Sequence, residues 1–200
     1  MQWLIGVDEA GRGALAGPVC VGAVLYPSDF DWREIFTLIT KRGEPKLRDS
    51  KQLSAQQREI LYAAITAHGR LRHASALVEA EVIDSIGISN AAREAAAIAV
   101  QRLGIGPSRV KVLLDAGLSV SSEWDQESFV RGDETIPAIS FASMIAKVTR
   151  DTHMEELAGT HDRYGFAQHK GYGTAAHTLA IRQHGLVPLI HRKTFLTAYA

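Results

Sequence analysis

Trp3-Leu4-Ile5-Gly6-Val7-Asp8-Glu9-Ala10-Gly11-Arg12-Gly13 is the stretch from which the rest of this chain is read. Residues 3–7 form a short apolar run of the kind that makes a buried strand. The run ends in two adjacent carboxylates, Asp8 and Glu9, which are costly to bury unless a cation or hydrogen bonds compensate them. Directly behind them Gly11 and Gly13 flank Arg12, so bare backbone N–H groups and a guanidinium lie beside a negative pair. A site holding a divalent cation next to a phosphate needs both halves of that arrangement. A strand-ending turn is the bland alternative, and for Gly-Arg-Gly alone it is the better one. For the whole stretch, strand included, a site is the better reading. The glycine spacing 11, 13, 17 is not a dinucleotide fingerprint: it is off by one residue and leads into a strand, where that motif must open a helix.

Working outward, residues 19–26 are a second apolar run ended by Pro27-Ser28-Asp29, and the short Gly-rich connection predicts an antiparallel pair with the first. Residues 31–46 are mixed and give no clear element. Ser54 and Gln57 have capping-box spacing ahead of an apolar stripe at Ile60, Leu61, Ala64 and Ile65, which predicts a helix. A third strand is expected over residues 72–79. A helix over about 89–103 follows, with Gly104 as its stop and Ala95-Ala96-Ala97 suited to close packing on a sheet. Val110-Lys111-Val112-Leu113-Leu114-Asp115 repeats the opening pattern, an apolar run that delivers a carboxylate at its C-terminal end. A weaker strand precedes Arg131-Gly132-Asp133, residues 136–139 lead into a long helix over about 140–157, and residues 175–184 have helical periodicity stopped by Gly185 and Pro188. Strands first, then alternating helices and strands, predict an α/β fold with a mixed sheet, antiparallel at its start and parallel later. No linker or repeat marks a boundary, so one domain is expected over residues 1–200, with about 160–200 as a helical C-terminal appendage.

Composition bounds the function. The chain has 200 residues, 46% of them hydrophobic, and a formal net charge of zero, which argues against a molecule that binds nucleic acid over its whole surface. Basic character is local: from His161 onward the only acid is Asp162, against Arg163, Lys170, Arg182, Arg192, Lys193 and five histidines. Cys20, the single cysteine, lies in an apolar run, so no internal disulfide can form. Neither a signal sequence nor a run of transmembrane length is present, and a soluble, cytoplasmic protein with no membrane partner is expected.

Three constellations carry chemistry. Asp8, Glu9 and Asp115 arrive at strand ends from distant parts of the chain, and Asp133 follows in a Gly-containing turn. Converging carboxylates without thiolates or ordered histidines select hard cations, Mg²⁺ or Mn²⁺, and suit an in-line displacement at phosphorus. Ser143, Lys147 and Asp151 share a helix face at i,i+4 spacing. That is either an ordinary Lys–Asp pair or a Ser and Lys aimed at a phosphate, with Asp151 holding the lysine. His169-Lys170-Gly171-Tyr172-Gly173-Thr174 sets an aromatic between glycines, where its ring can meet a sugar or base while backbone amides approach a phosphate.

Taken in order, Asp8-Glu9-Ala10-Gly11-Arg12-Gly13, Asp49-Ser50-Lys51, Val112-Leu113-Leu114-Asp115, the segment from Ala142-Ser143-Met144 through Lys147 to Arg150-Asp151, and His169-Lys170-Gly171-Tyr172-Gly173-Thr174 resemble the motif series of bacterial ribonuclease HII, a type 2 ribonuclease H. The resemblance extends to about His191-Arg192-Lys193-Thr194-Phe195 and so covers nearly the whole chain. It implies a ribonuclease H-like fold: a five-stranded mixed sheet flanked by helices, with a helical C-terminal part. It implies metal-dependent cleavage of RNA in RNA–DNA hybrids and at single ribonucleotides embedded in duplex DNA, leaving 3′-hydroxyl and 5′-phosphate ends. The family's metal-binding acids match Asp8, Glu9, Asp115 and Asp133. Its Gly-Arg-Gly turn, which would grip the ribonucleotide through the 2′-hydroxyl and phosphate, matches Gly11, Arg12 and Gly13, and its stacking tyrosine matches Tyr172. Arg12, Lys51 and Lys147 are the expected phosphate contacts, with Ser143 beside them. Two departures stand out: Asp115-Ala116-Gly117 where members commonly read Asp-Gly, and Arg131 where lysine is more usual.

Two rivals to an endoribonuclease remain open at this level. One is another ribonuclease H-fold phosphoryl-transfer nuclease, such as a junction resolvase; the other is a module that binds hybrid duplexes without cutting. The first gives no reason for Gly-Arg-Gly together with Gly-Tyr-Gly, and the second would be marked by a replaced acid, where none is replaced. A monomer is expected.

Overall fold

The computed structural model describes residues 2–39 and 53–196. The expected phosphate contact Lys51, with the rest of Asp49-Ser50-Lys51, lies outside them. In chain order the elements are β1 (Trp3–Ala10), β2 (Val19–Pro27), α1 (Arg33–Phe36), α2 (Ala55–Ala67), β3 (Arg72–Val78), α3 (Ala80–Ile86), α4 (Ile88–Arg102), β4 (Val110–Asp115), β5 (Asp125–Phe129), α5 (Gly132–Thr135), α6 (Pro137–Thr160), α7 (Phe166–His169) and α8 (Ala175–His184), with single 3₁₀ turns at Asp162–Tyr164 and Lys193–Phe195. The strands form one sheet in the order β3-β2-β1-β4-β5. β1 runs antiparallel to β2, and β2 to β3, whereas β4 and β5 are parallel to β1 and to each other. This is the mixed five-stranded sheet expected from the sequence.

Both faces are covered, and side-chain alternation explains how. Ile5 and Val7 of β1 join Val21 and Ala23 of β2 and Val112 and Leu114 of β4 in a core capped by the alanine face of α4. Ala91, Ala92, Ala95, Ala96 and Ala99 are all fully buried there, while Ala97, the third alanine of the run, faces solvent. On the opposite face α6 lies directly against the strands. A side chain at Gly6 would overlap the backbone of Ala138, and one at Gly22 would overlap the Ala142 carbonyl. Three alanines at i,i+4 spacing (Ala138, Ala142 and Ala146) therefore sit on two bare positions of the sheet, and Phe141, Met144 and Ile145 complete that core with α2. A smaller third cluster, with Met154, Tyr164, Phe166 and Ala180, holds the C-terminal helices onto the end of α6.

One expected boundary holds and two features differ from the sequence reading. The capping box is present, with Ser54 accepting from the Gln57 N–H and Gln57 accepting from the Ser54 N–H, so α2 starts where expected. α3 was not anticipated: its seven residues are too few to show a period before Gly87, at φ 81°, breaks the chain into α4. α6 begins at Pro137, three residues earlier than expected, because proline at the first helical position has no N–H to lose and a preset φ.

Candidate functional site

Strand register brings the acids together. β1 and β4 are parallel neighbours, with Val7 paired to Leu114, so the next residue of each, Asp8 and Asp115, stands just past the last β1–β4 pair, toward the carboxyl ends of the two strands. Glu9 follows Asp8 on the same strand. Carboxylate oxygens of Asp8, Glu9 and Asp115 lie within 4.8 Å of one another. The carboxyl ends of parallel strands are where open α/β sheets collect ligands.

Each acid is held by its surroundings. Asp8, 5% exposed, accepts the Glu9 N–H at 2.7 Å and a hydrogen bond from the Ser143 hydroxyl. Asp115 Oδ1 accepts the Gly132 N–H at 2.8 Å. Glu9 Oε1 receives Arg12 Nη1 at 3.1 Å, whereas Glu9 Oε2 is a buried oxygen with no hydrogen-bond partner among the described residues. Burial, then the neighbouring Glu9 charge, holds the Asp8 carboxyl well above its usual pKa, against the Ser143 hydrogen bond. Burial also raises Glu9, with the Arg12 hydrogen bond pulling the other way. A self-repelling cluster of oxygen donors with one orphaned oxygen fits a hard divalent cation and offers nothing to a soft one.

The acids form the floor of a cleft of about 480 Å³. Every candidate residue named from the sequence, Lys51 excepted, lines it: Asp8, Glu9, Asp115, Asp133, Gly11, Arg12, Gly13, Ser143, Lys147 and Tyr172. Asp133, buried on the one-turn helix α5, borders the cleft but is not a member of the three-carboxylate group. Arg12 Nη2 also donates to Ser89 Oγ (3.1 Å), and Gly117 at φ 91° lets the guanidinium lie within 3.0 Å of where a side chain would begin. The Ala116 insertion thus leaves both Asp115 and the Arg12 seat intact. Lys147 Nζ binds Asp151 at 2.8 Å and stands 5.8 Å from the Tyr172 ring centre. Lys147 is thus ion-paired and also lines the cleft. Tyr172 is 37% exposed.

Sequence reasoning missed three arginines. Arg58, in the first turn of α2, lines the cleft and donates to the Leu53 carbonyl at 2.6 Å. Its signal was its place in the first turn of a helix that follows a basic motif. Arg150 and Arg192 are fully buried. Arg150 donates to the carbonyls of Pro18, Lys170 and Ala16 at 2.8–3.1 Å, tying the Gly-Tyr-Gly loop to the segment after Gly-Arg-Gly. Arg192 donates to the carbonyls of Gly17 and Arg12 at 2.9 and 3.0 Å. The two glycines of the turn differ. Gly11, at φ 86°, lies against the Arg150 guanidinium with no room for a side chain, whereas at Gly13 no atom of the described residues lies within 4 Å of where one would start.

A family model described as Ribonuclease HII matches residues 5–198 of this chain. Ribonuclease HII of Coxiella burnetii is 42% identical over 192 residues, covering 96% of this chain and 87% of that protein. Among solved structures, ribonuclease H2 from Pyrococcus horikoshii OT3 superposes with a TM-score of 0.75 at 27% identity, covering 98% of this chain and 95% of that one. Bst-RNase HIII in complex with Mn²⁺ shares the fold, with a TM-score of 0.67 at 17% identity over 98% of this chain and 70% of that one.

Proposed function

The chain belongs to the ribonuclease HII family, and from that premise we propose how its own residues carry out the family's reaction. It is an endoribonuclease, a metal-dependent phosphodiester hydrolase. Asp8, Glu9, Asp115 and Asp133 hold the metal, Mg²⁺ or Mn²⁺, and the substrate is the RNA strand of RNA–DNA hybrids or a single ribonucleotide embedded in duplex DNA. One observation carries this reading: carboxylate oxygens of three acids from two parallel strands converge within 4.8 Å, and one of those acids has a buried oxygen, Glu9 Oε2, with no hydrogen-bond partner among the described residues. The relative solved with Mn²⁺ favours the same class of ion. When bound, such an ion supplies Lewis-acid charge at the phosphate and eases deprotonation of a water.

The chain's own groups do the rest. A water oxygen adds to phosphorus as the bond to the 3′-oxygen breaks, which leaves a 3′-hydroxyl and a 5′-phosphate. Ser143 fixes the Asp8 carboxylate, and Gly132 fixes that of Asp115. Arg12, Lys147 and Lys51 contact the backbone phosphates, with Arg58 on the same rim. Gly11 and Gly13 keep the turn bare so that its backbone reaches the ribose 2′-hydroxyl, the group that distinguishes RNA from DNA at one position. Tyr172 stacks where the ribonucleotide meets DNA. The helical segment from about residue 160 onward belongs to the same domain and carries that tyrosine to the cleft. No helix among the described residues is long and apolar enough to cross a membrane, and the protein acts as a cytoplasmic monomer.

The test is a duplex DNA carrying one ribonucleotide, incubated with protein and Mg²⁺ or Mn²⁺, with product ends mapped. Cleavage leaving 3′-hydroxyl and 5′-phosphate ends, abolished in a folded Asp115→Asn protein, is the expected result. Binding without cutting would favour a hybrid-binding module, and cutting of branched DNA instead would favour a resolvase. Near-normal turnover by Asp115→Asn would remove that acid from the site.

A further inference from the structure

Behind the cleft, three histidines are packed into the third core cluster, and their hydrogen bonds leave one protonation pattern. The Val187 N–H donates to His191 Nδ1 at 2.8 Å, so that nitrogen is the acceptor and the ring proton sits on Nε2. His191 Nε2 lies 3.2 Å from His177 Nε2, which must then accept, placing the His177 proton on Nδ1. His177 Nδ1 lies 3.0 Å from the Tyr172 carbonyl oxygen, which also accepts the Thr174 N–H at 2.8 Å. A single backbone N–H thus fixes the direction of a chain that ends on the residue whose ring borders the cleft. His177 is fully buried and His191 2% exposed. His169 stacks on His177 with ring centres 4.4 Å apart, and its own bonds, accepting from the Gly171 N–H and donating to the Tyr164 carbonyl, lie outside the chain.

We propose that His191 and His177 form a directional hydrogen-bond relay that sets the backbone of Tyr172, making both histidines positioning residues for the substrate-facing ring. The relay rests on the functional reading above for its consequence but not for its existence. Its anchor is rigid: the Ile190 and Leu15 carbonyls accept the Gly17 and Arg192 N–H groups, so the segment carrying His191 is fastened to the chain just after Gly-Arg-Gly. Its output is the Tyr172 ring, placed with Arg150 5.4 Å and Lys147 5.8 Å from its centre. Burial pushes His177 down and His191 to about 4, which supports two neutral rings at neutral pH.

Two measurements decide it. Nitrogen-15 histidine spectra of the wild-type protein near pH 7 should show His191 protonated on Nε2 and His177 on Nδ1; the opposite tautomer at either ring, or a charged ring, overturns the relay whatever the protein cuts. Cleavage of duplex DNA carrying one ribonucleotide should fall about fivefold in kcat/KM for His191→Phe, the worth of one net hydrogen bond. His191→Gln, which offers an acceptor and a donor side by side, should recover most of the loss. In a Tyr172→Ala background, His191→Phe should cost nothing further, because the ring that the relay positions is gone. A loss that persists undiminished in that background would place the histidines outside Tyr172 positioning. Wild-type protein that leaves this duplex uncut, while showing the expected tautomers, would overturn the functional reading and the relay's role in it together.

Discussion

Gly11 and Gly13 stand two residues apart in one turn, yet alanine should act on them through different physics. At Gly11 the φ of 86° costs an L-residue about 1 kcal/mol, and its side chain would occupy the space of the Arg150 guanidinium. Displacing Arg150 breaks hydrogen bonds to three buried carbonyls, Pro18, Lys170 and Ala16. Losing two of them, at about 1.5 kcal/mol each for a charged donor, brings the total to about 4 kcal/mol. That is a large fraction of the roughly 5–15 kcal/mol a domain possesses. Gly13 is exposed, and a methyl group there meets no atom of the described residues within 4 Å, so Gly13→Ala should unfold like wild type. Its methyl would instead fill space through which the substrate backbone approaches, lowering cleavage at an embedded ribonucleotide on the order of a hundredfold. Urea unfolding followed by tryptophan fluorescence, paired with the cleavage assay, separates the two. Gly11→Ala unfolding within about 1 kcal/mol of wild type, or a folded Gly13→Ala protein that cuts normally, would refute the reasoning.

Asp8→Asn should abolish cleavage yet raise the melting temperature in chelator. The folded state raises the Asp8 pKa, so its ionisation opposes folding as pH rises above the ordinary carboxyl range, and the amide removes that penalty; an unchanged or lower melting point counts against it. Asp151→Asn should cost about 0.5 kcal/mol of stability and reduce the rate far less than Asp8→Asn, since Asp151 meets Lys147 rather than the carboxylates; equal damage in the two would place Asp151 in the metal site. Tyr172→Ala should hurt cleavage at an isolated ribonucleotide more than within a long hybrid, compared at one salt concentration because phosphate-driven affinity depends on salt; equal fractional losses would make Tyr172 general scaffolding. The lowered His191 pKa has the opposite sign to the acids: the unfolded chain takes the proton first, so its share of stability is complete above about 6.5 and is lost as pH falls toward about 4, on the order of 3 kcal/mol in all. Denaturant midpoints across that range should fall less steeply for His191→Phe than for wild type, and parallel curves would exclude the histidine as the cause.

The parts of the site built by strands were legible because a strand announces itself by an apolar run and its end by the first polar residue. Asp8 and Asp115 follow such runs directly, and pairing them needed only the parallel register of β1 with β4. Lys147 and Asp151 were legible as one helix face for the same reason of periodicity. Arg150 was not: three residues beyond Lys147 in a charged stretch it reads as solvated, and only the folded chain shows it wholly buried among carbonyls more than 130 residues earlier. Gly6 and Gly22 passed as ordinary members of apolar runs, and only the folded chain shows that they admit α6 to the sheet. The histidine chain joins residues 172, 177, 187 and 191 through ring nitrogens, for which sequence carries no spacing rule.

Arg192, whose guanidinium holds the Arg12 carbonyl, has a consequence for when the protein first becomes competent during synthesis. The two residues are 180 positions apart, so the turn beside the acids is clasped only once the chain has been made through Arg192, and so long a loop closes late. Strand pairing between β1 and β4 already waits for residue 114. A nascent chain shorter than about 190 residues therefore carries the acids without the clasp. A ribosome translating this protein works on RNA, and the order of assembly leaves the turn beside the acids unclasped until residue 192 has emerged.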